Sequence, residues 1–192
     1  MTAKSRGFDP ELIKSIMTDA IANFIESKCN SKFSKPPDFS EHNIIEYASN
    51  MRVFGLEKFN SPCYVSYINF FLSTQELKNK NPIGALILFL DYQSAERLLK
   101  SLGYSQANED EEDAFFDTVG QLCETIASQF NNEIQNLGYK ELAISKPLTF
   151  KNDVPGGAPF YYEETRYYEL SAYFWKQKAL VLNLTLGPVS KK

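Results

Sequence analysis

The chain has 192 residues, of which 43% are apolar and 14% aromatic, so it is long enough to bury the core of one domain. Its net charge is −4 at pH 7, and its basic residues are scattered along the chain. This balance argues against nucleic acid or an anionic membrane as the main partner.

Two further features of the composition restrict the class of protein. The longest apolar run, Ile83 to Leu90, has eight residues, far fewer than the ~20 that a membrane-spanning helix requires. The N-terminal residues lack the apolar core of a signal peptide. The three cysteines, Cys29, Cys63 and Cys123, are odd in number and widely spaced, which predicts buried thiols in a reducing compartment and neither disulfides nor a zinc site. We therefore expect a cytoplasmic protein.

The first predicted element is an amphipathic helix. Asp9 is placed as its N-cap and Pro10 as its first residue. Apolar residues then recur at steps of three and four, which predicts a helix over Pro10–Lys28 with one face on the core. Residues 1–8 are polar and are expected to be disordered, so the folded core is predicted to run from 9 to 186.

The next part of the chain carries weaker signals. Residues 29–42 contain the pair Pro36-Pro37 and many polar side chains, which predicts a loop ending at a surface residue, His42. Residues 43–54 fit either a helix, from their apolar spacing, or the start of a strand.

Two strands and a helix are predicted in the middle of the chain. Residues 63–72 are rich in aromatic and β-branched side chains, and residues 83–90 form an uninterrupted apolar run. The polar turn predicted over 75–82 makes these strands an antiparallel hairpin. Asp91 is then expected to cap a helix that ends at Gly103.

The strongest pattern in the chain predicts a long helix over Asp113–Leu137. Carboxylates over 109–113 favour its N-terminus, and Gly138 is a predicted C-cap. A core stripe at helical spacing comprises Phe115, Phe116, Val119, Leu122, Cys123, Ile126, Phe130, Ile134 and Leu137. The opposite, polar face comprises Asp117, Gln121, Glu124, Ser128, Asn131 and Gln135.

The C-terminal part is predicted to be mostly β-structure. A short strand is expected over 141–147, followed by a turn-rich connection over 148–157. Alternating apolar residues then predict a hairpin of strands 161–175 and 179–186, joined by a tight turn over 176–178. The whole chain, 1–192, is therefore predicted to be one α+β domain with a mixed or antiparallel sheet and helices packed on it.

The polar face of the long helix has two readings, a solvated surface or a functional site. The run from Asp117 to Ser128, DTVGQLCETIAS, resembles the signature helix of the CheC/CheX/FliY family of chemotaxis phosphatases. That helix has an acidic residue or Ser, then Glu four residues later, then Asn three further on, and a Pro about 22 residues after the Asn. Asp117 and Pro147 match this pattern. Gln121 stands in place of the Glu, and Glu124 stands in place of the Asn.

The resemblance carries expectations about fold and function. It implies a CheX-like fold with one site at most and a homodimer formed through sheet edges. It also implies that the partner is the receiver domain of a response regulator, such as CheY, which carries an acyl phosphate. The receiver brings its own Mg²⁺, so no metal site and no cofactor are expected in this chain. The expected contact residues are Asp117, Gln121, Glu124, Ser128 and Pro147.

The exchanged residues leave two hypotheses open. Family members are thought to use the Asn amide to orient the attacking water and the Glu to engage a receiver lysine. In one hypothesis Gln121 and Glu124 are catalytic with these roles swapped, and the chain is an aspartyl-phosphate phosphatase. In the other, the chain binds a receiver domain but its phosphatase activity is reduced or lost. We favour the second, because a Gln is one methylene longer than an Asn and a carboxylate repels a phosphoryl group.

Overall fold

The structure is a computed structural model that describes residues 9–102, 112–140 and 142–189. The helices are α1 (Pro10–Cys29), α2 (Leu56–Phe59), α3 (Thr74–Asn79), α4 (Tyr92–Ser101) and α5 (Glu112–Ile134), which continues as a 3₁₀ turn (Gln135–Leu137). The strands are β1 (Asp38–Asn43), β2 (Glu46–Tyr47), β3 (Asn50–Met51), β4 (Cys63–Phe71), β5 (Gly84–Asp91), β6 (Ala143–Ile144), β7 (Leu148–Lys151), β8 (Arg166–Phe174) and β9 (Gln177–Leu186).

Seven strands form one antiparallel sheet in the order β1-β8-β9-β5-β4-β6, and β7 also pairs with β4. The two remaining strands, β2 and β3, form a small hairpin. The central strands β4, β5 and β9 are buried along almost their whole length, because both faces of the sheet are covered there. The predicted α+β class and the predicted β4–β5 hairpin are confirmed.

The sheet separates two apolar layers. On one face α1, α4 and α5 pack over alternate residues of the central strands, including Ile68, Leu88 and Leu182. On the other face the β2–β3 region and the loop after β7 cover Val65, Phe89 and their neighbours. The long helices therefore lie side by side on one face of the sheet.

Helix α5 forms where its sequence predicts it. Its apolar stripe is buried against the sheet, with Leu122, Cys123 and Ile126 fully inaccessible. Gly138 ends the 3₁₀ turn with a φ of 96°, a conformation that strongly favours glycine. Helix α1 begins as predicted, because the Asp9 carboxylate accepts a hydrogen bond from the Glu11 amide.

Several predictions were wrong at the edges of the sheet. The predicted loop over 29–42 contains β1, which pairs with β8 over Asp38–Asn43. The turn-rich connection predicted over 148–157 begins with β7. Both strands lie at sheet edges and are largely exposed, so they lack the apolar alternation that marks a strand in sequence.

Smaller differences concern short elements. The turn predicted over 75–82 contains α3, which Ser73 caps. The ambiguous segment 43–54 forms the β2–β3 hairpin, and α2 follows it. The final hairpin turns at Trp175 and Lys176, both with positive φ, one residue earlier than predicted.

The final hairpin offers no sheet edge for the predicted pairing between subunits. Strand β8 pairs with β1 and strand β9 pairs with β5, so both lie inside the sheet. Within the described residues the free edges belong to β1, β6 and β7. The homodimer itself stays a prediction.

Some predictions fall on residues outside the described ranges. These are the expected disorder of residues 1–8, the end of α4 at Gly103, most of the acidic run 109–113, and Glu141. Among the helices that are described, none is both long and apolar enough to cross a membrane.

Candidate functional site

The candidate site is the exposed polar stripe of α5. Asp117, Gln121 and Glu124 are exposed, and Ser128 is half-buried one turn further on. Most residues between them point into the core, so the helix turns these side chains outward together with Thr125. The structure thus brings together the four helix residues that the sequence predicts for the site.

A strand-like segment, residues 142–151, runs antiparallel to α5 along one side of this stripe. At one end the Asn131 side-chain amide donates a hydrogen bond to the Leu142 carbonyl at 3.0 Å. At the other end the Lys151 ammonium lies 3.2 Å from the Glu112 carboxylate. The segment is therefore tied to the helix near both ends of the stripe.

Pro147 lies against the helix midway between these two ties. A Cβ built on Gly120 would lie 3.5 Å from Pro147 Cγ and 3.2 Å from Thr149 Oγ1. Since Gly120 directly precedes Gln121, the structure places Pro147 beside the predicted site.

A buried polar cluster lies beneath the same turn of the helix. The Thr149 hydroxyl donates a hydrogen bond to Ser66 Oγ at 3.1 Å, and the Cys123 thiol contacts the Ser66 carbonyl at 3.5 Å. Burial raises the pKa of the Cys123 thiol to about 12, so the thiol stays protonated and is no nucleophile. This cluster joins α5 to β4 and β7, and its role is structural.

The stripe offers an amide and a carboxylate three residues apart on one face. Among the described residues the side chains of Gln121 and Glu124 make no hydrogen bond or ion pair, so both are available to a partner. The Thr125 hydroxyl beside them is occupied, because it donates to the Gln121 carbonyl at 2.8 Å. An amide can orient water or a phosphoryl oxygen, and a carboxylate can bind a lysine.

The described residues offer no set of side chains that could hold a metal ion. No group of three His, Cys, Asp or Glu side chains there is arranged to bind an ion. His42, predicted at the surface, is exposed on β1 and stacks on Tyr167. The described thiols of Cys29, Cys63 and Cys123 are all free.

A second concave region lies where β4 begins and β5 ends. It is an open depression of about 600 Å³ that includes Lys58, Asp91 and Lys178 in its lining. Asp91 is occupied there by hydrogen bonds from Ser61, Ser94 and Gln177. Its charges balance within the protein, and we place no site in it.

Sequence reasoning missed two residues that shape the candidate site. Thr149 lies in a segment predicted to be a turn, so nothing in the sequence predicted its contact with α5. Gly120 carried a signal, because a glycine inside a long helix is unfavourable and calls for a packing reason.

No family model and no curated protein matches the sequence. Solved structures match it in fold. A chemotaxis protein CheX from Desulfovibrio desulfuricans is 12% identical and covers 91% of this chain and 98% of its own, with a TM-score of 0.56. FliY from Thermotoga maritima is 13% identical and covers 97% of this chain and 92% of its own, with a TM-score of 0.58.

A third match comes from a complex. In the CheX-CheY-BeF3-Mg²⁺ complex from Borrelia burgdorferi, the matching chain is 12% identical and covers 90% of this chain and 96% of its own, with a TM-score of 0.52. At these identities the likeness concerns the fold. The chain has the fold of the CheX, CheC-like and FliY chemotaxis proteins over most of its length, as the signature helix predicts.

Proposed function

We propose that this chain is a CheX-like signalling protein that binds a receiver domain such as CheY through the stripe of α5 and Pro147. In this proposal its phosphatase activity is reduced or lost. The contact residues are Asp117, Gln121, Glu124, Ser128 and Pro147. A receiver partner belongs to chemotaxis or another two-component pathway, and it would place the chain in the cytoplasm.

One observation carries the proposal. Gln121 and Glu124 are exposed on one face of α5, without partners among the described residues, beside a proline packed on the preceding turn. The opposite, apolar face of the helix is buried in the core. The match in fold to a chain of the CheX-CheY complex supports a receiver as the partner.

The chemistry of the stripe favours binding over hydrolysis. Hydrolysis of an acyl phosphate needs a water molecule placed in line with phosphorus, and a misplacement near 1 Å costs on the order of 100-fold. Glu124 stands at the position of the water-orienting Asn, where its negative charge opposes approach of a phosphoryl group. The Gln121 amide is displaced by almost one helical turn from that position.

The alternative is an active phosphatase with swapped roles. Gln121 would orient the water and Glu124 would engage the receiver lysine. Both side chains are free to do so, since three-residue spacing keeps them on one helix face. In either case the receiver supplies Mg²⁺, and this chain needs no cofactor of its own.

The test follows the phosphoryl group of phosphorylated CheY, with other receivers tried in turn, in the presence and absence of the protein. Binding is measured in parallel with CheY held in its active form by beryllofluoride and Mg²⁺. The site variants are Gln121→Ala and Glu124→Ala. Gln93→Ala on α4 and Glu133→Ala on another face of α5 make the same chemical changes at exposed positions outside the stripe and serve as matched controls.

We expect binding that each site variant weakens about tenfold, no faster loss of phosphate than with CheY alone, and no effect of the controls. If the wild type accelerates the loss of phosphate from CheY and Gln121→Ala abolishes this acceleration, the active phosphatase with swapped roles is established instead. Failure of the wild type to bind any receiver would refute both hypotheses and leave the likeness as one of fold.

A further inference from the structure

We infer that Gly120 is a positioning residue, which sets how closely the segment 142–151 approaches the stripe of α5. The inference rests on the proposed function, since it concerns the surface that a receiver would contact. Gly120 is buried and does not itself reach that surface. Its effect passes through Pro147 and Thr149.

The contact at Gly120 is tight and has little freedom to relax. A Cβ there would meet Thr149 Oγ1 at 3.2 Å, a separation shorter than ordinary van der Waals contact. The same hydroxyl donates a hydrogen bond to Ser66, which is fully buried in the central strand β4. Thr149 can therefore move away from the helix only by stretching or breaking that bond.

The helix by itself would favour another residue. Gly120 lies in the interior of a helix of 23 residues, where alanine is more favourable than glycine. The neighbouring contacts of α5 with the sheet do not require a glycine, since Val119 and Leu122 pack there with full side chains. The close approach of 142–151 is what the missing side chain permits.

The consequence concerns the shape of the partner surface. Pro147 is half-buried, and its exposed part continues the surface on which Gln121 stands. Pairing of β6 and β7 with β4 holds the two parts of the segment that flank Pro147, so a side chain at position 120 would displace the unpaired middle outward. A receiver seated on Gln121 and Glu124 would then meet Pro147 in the wrong place.

The experiment compares Gly120→Ala and Gly120→Val with the wild type. Binding to CheY with beryllofluoride and Mg²⁺ is measured for each, together with the thermal midpoint of unfolding. Asn132→Ala is the control, because it also replaces an unfavourable helix residue of α5 but at an exposed position away from the segment. Gly120→Ala combined with Thr149→Ala tests rescue, with Thr149→Ala alone as its reference.

We expect Gly120→Ala to weaken binding about fivefold without lowering the thermal midpoint, and Gly120→Val to weaken it further. Asn132→Ala should bind within twofold of the wild type. Since Thr149→Ala removes the oxygen nearest to the added methyl, the double variant should bind as well as Thr149→Ala alone.

If the wild type binds CheY and Gly120→Ala binds it equally well, the positioning role is overturned and the proposed function stands. A parallel loss of thermal midpoint and binding would also overturn it, because the residue would then act on the fold alone. Absence of wild-type binding would overturn the proposed function, and this inference with it.

Discussion

At the scale of single residues, the candidate site depends on the chemical type of two side chains. Gln121 and Glu124 occupy one exposed face of α5, at the spacing that the resembled family uses for Glu and Asn. The backbone that presents them is well packed, since the buried face of the helix is complete. Exchanging the amide and the carboxylate between these two positions can therefore alter the chemistry of the site without altering the fold.

Because the fold does not depend on these two side chains, we predict that exchanging them gives a gain of phosphatase activity. The double variant Gln121→Glu, Glu124→Asn restores the family's order of carboxylate and amide on an unchanged helix. We expect it to accelerate the loss of phosphate from CheY at least tenfold over the wild type, because the shorter amide can then orient water without a carboxylate beside the phosphoryl group. The measurement is the rate of dephosphorylation at matched protein concentrations.

The single variants separate the two effects. Glu124→Asn alone should restore part of the rate, and Gln121→Glu alone should restore none, because it leaves the carboxylate at position 124. A double variant that binds CheY as the wild type does, yet shows no acceleration, would contradict the assignment of these positions.

At the scale of elements, two aspartates are the N-caps of two helices, but they accept different numbers of hydrogen bonds. Asp9 is exposed, and its carboxylate accepts one hydrogen bond from the backbone of α1. Asp91 is largely buried at the junction of β5 and α4, and it accepts from Ser94, Ser61 and Gln177. The second carboxylate thus links a strand, a helix, a loop and the final hairpin.

We expect Asp91→Ala to lower the free energy of unfolding by roughly 2 kcal/mol, because it removes a cap and leaves buried donors without an acceptor. Asp9→Ala, which removes an exposed cap alone, should cost about 1 kcal/mol or less. Chemical denaturation of both variants measures the difference. Equal costs would mean that the buried contacts of Asp91 contribute no more than a surface cap.

At the scale of the whole molecule, one sheet separates two apolar layers that each contain a buried thiol. Cys123 lies under the long helices, and burial raises its pKa to about 12. Cys63 lies on the opposite face, and burial together with the nearby Asp91 carboxylate raises its pKa to about 12. Titration of these groups therefore reports on both sides of the sheet.

These shifts predict a loss of stability in alkali. In the unfolded chain a thiol ionises near pH 8.5, whereas the folded protein keeps both protons. The stabilisation is complete below about pH 8.5 and falls as the pH rises toward 12, by roughly 1 kcal/mol per pH unit for Cys123. Cys63 acts in the same direction. Denaturation curves between pH 8 and 9 measure the slope before most tyrosines of the unfolded chain ionise, since their pKa is about 10.

The variant Cys123→Ala should reduce this slope, whatever it does to the stability at neutral pH. Ile126→Val is the matched control, since it removes one buried methyl from the same helix without removing a titrating group. If the protein unfolds in a single transition whose pH dependence includes the contribution of both thiols, the prediction of one domain is supported. Two separate transitions would refute it.

The sequence by itself determined the elements whose burial pattern is local. The stripe of α5 is set by residues three and four apart, and the apolar runs of β4 and β5 need no partner to be recognised. The caps Asp9, Asp91 and Gly138 were also predicted, because a cap is decided by neighbours in the chain. The sequence also predicted the exposed positions of Asp117, Gln121 and Glu124 on α5.

Tertiary structure alone decided the rest, because edge strands and close packing depend on residues distant in sequence. Strand β1 is polar and exposed, and only pairing with β8 makes it a strand. Strand β7 reaches the site only because β4 holds it there, which brings Thr149 to Ser66 and Pro147 to Gly120. The spacing of residues in the sequence shows which side chains of α5 are exposed. The contact between α5 and the segment 142–151 joins residues far apart in the chain, and only the folded structure brings them together.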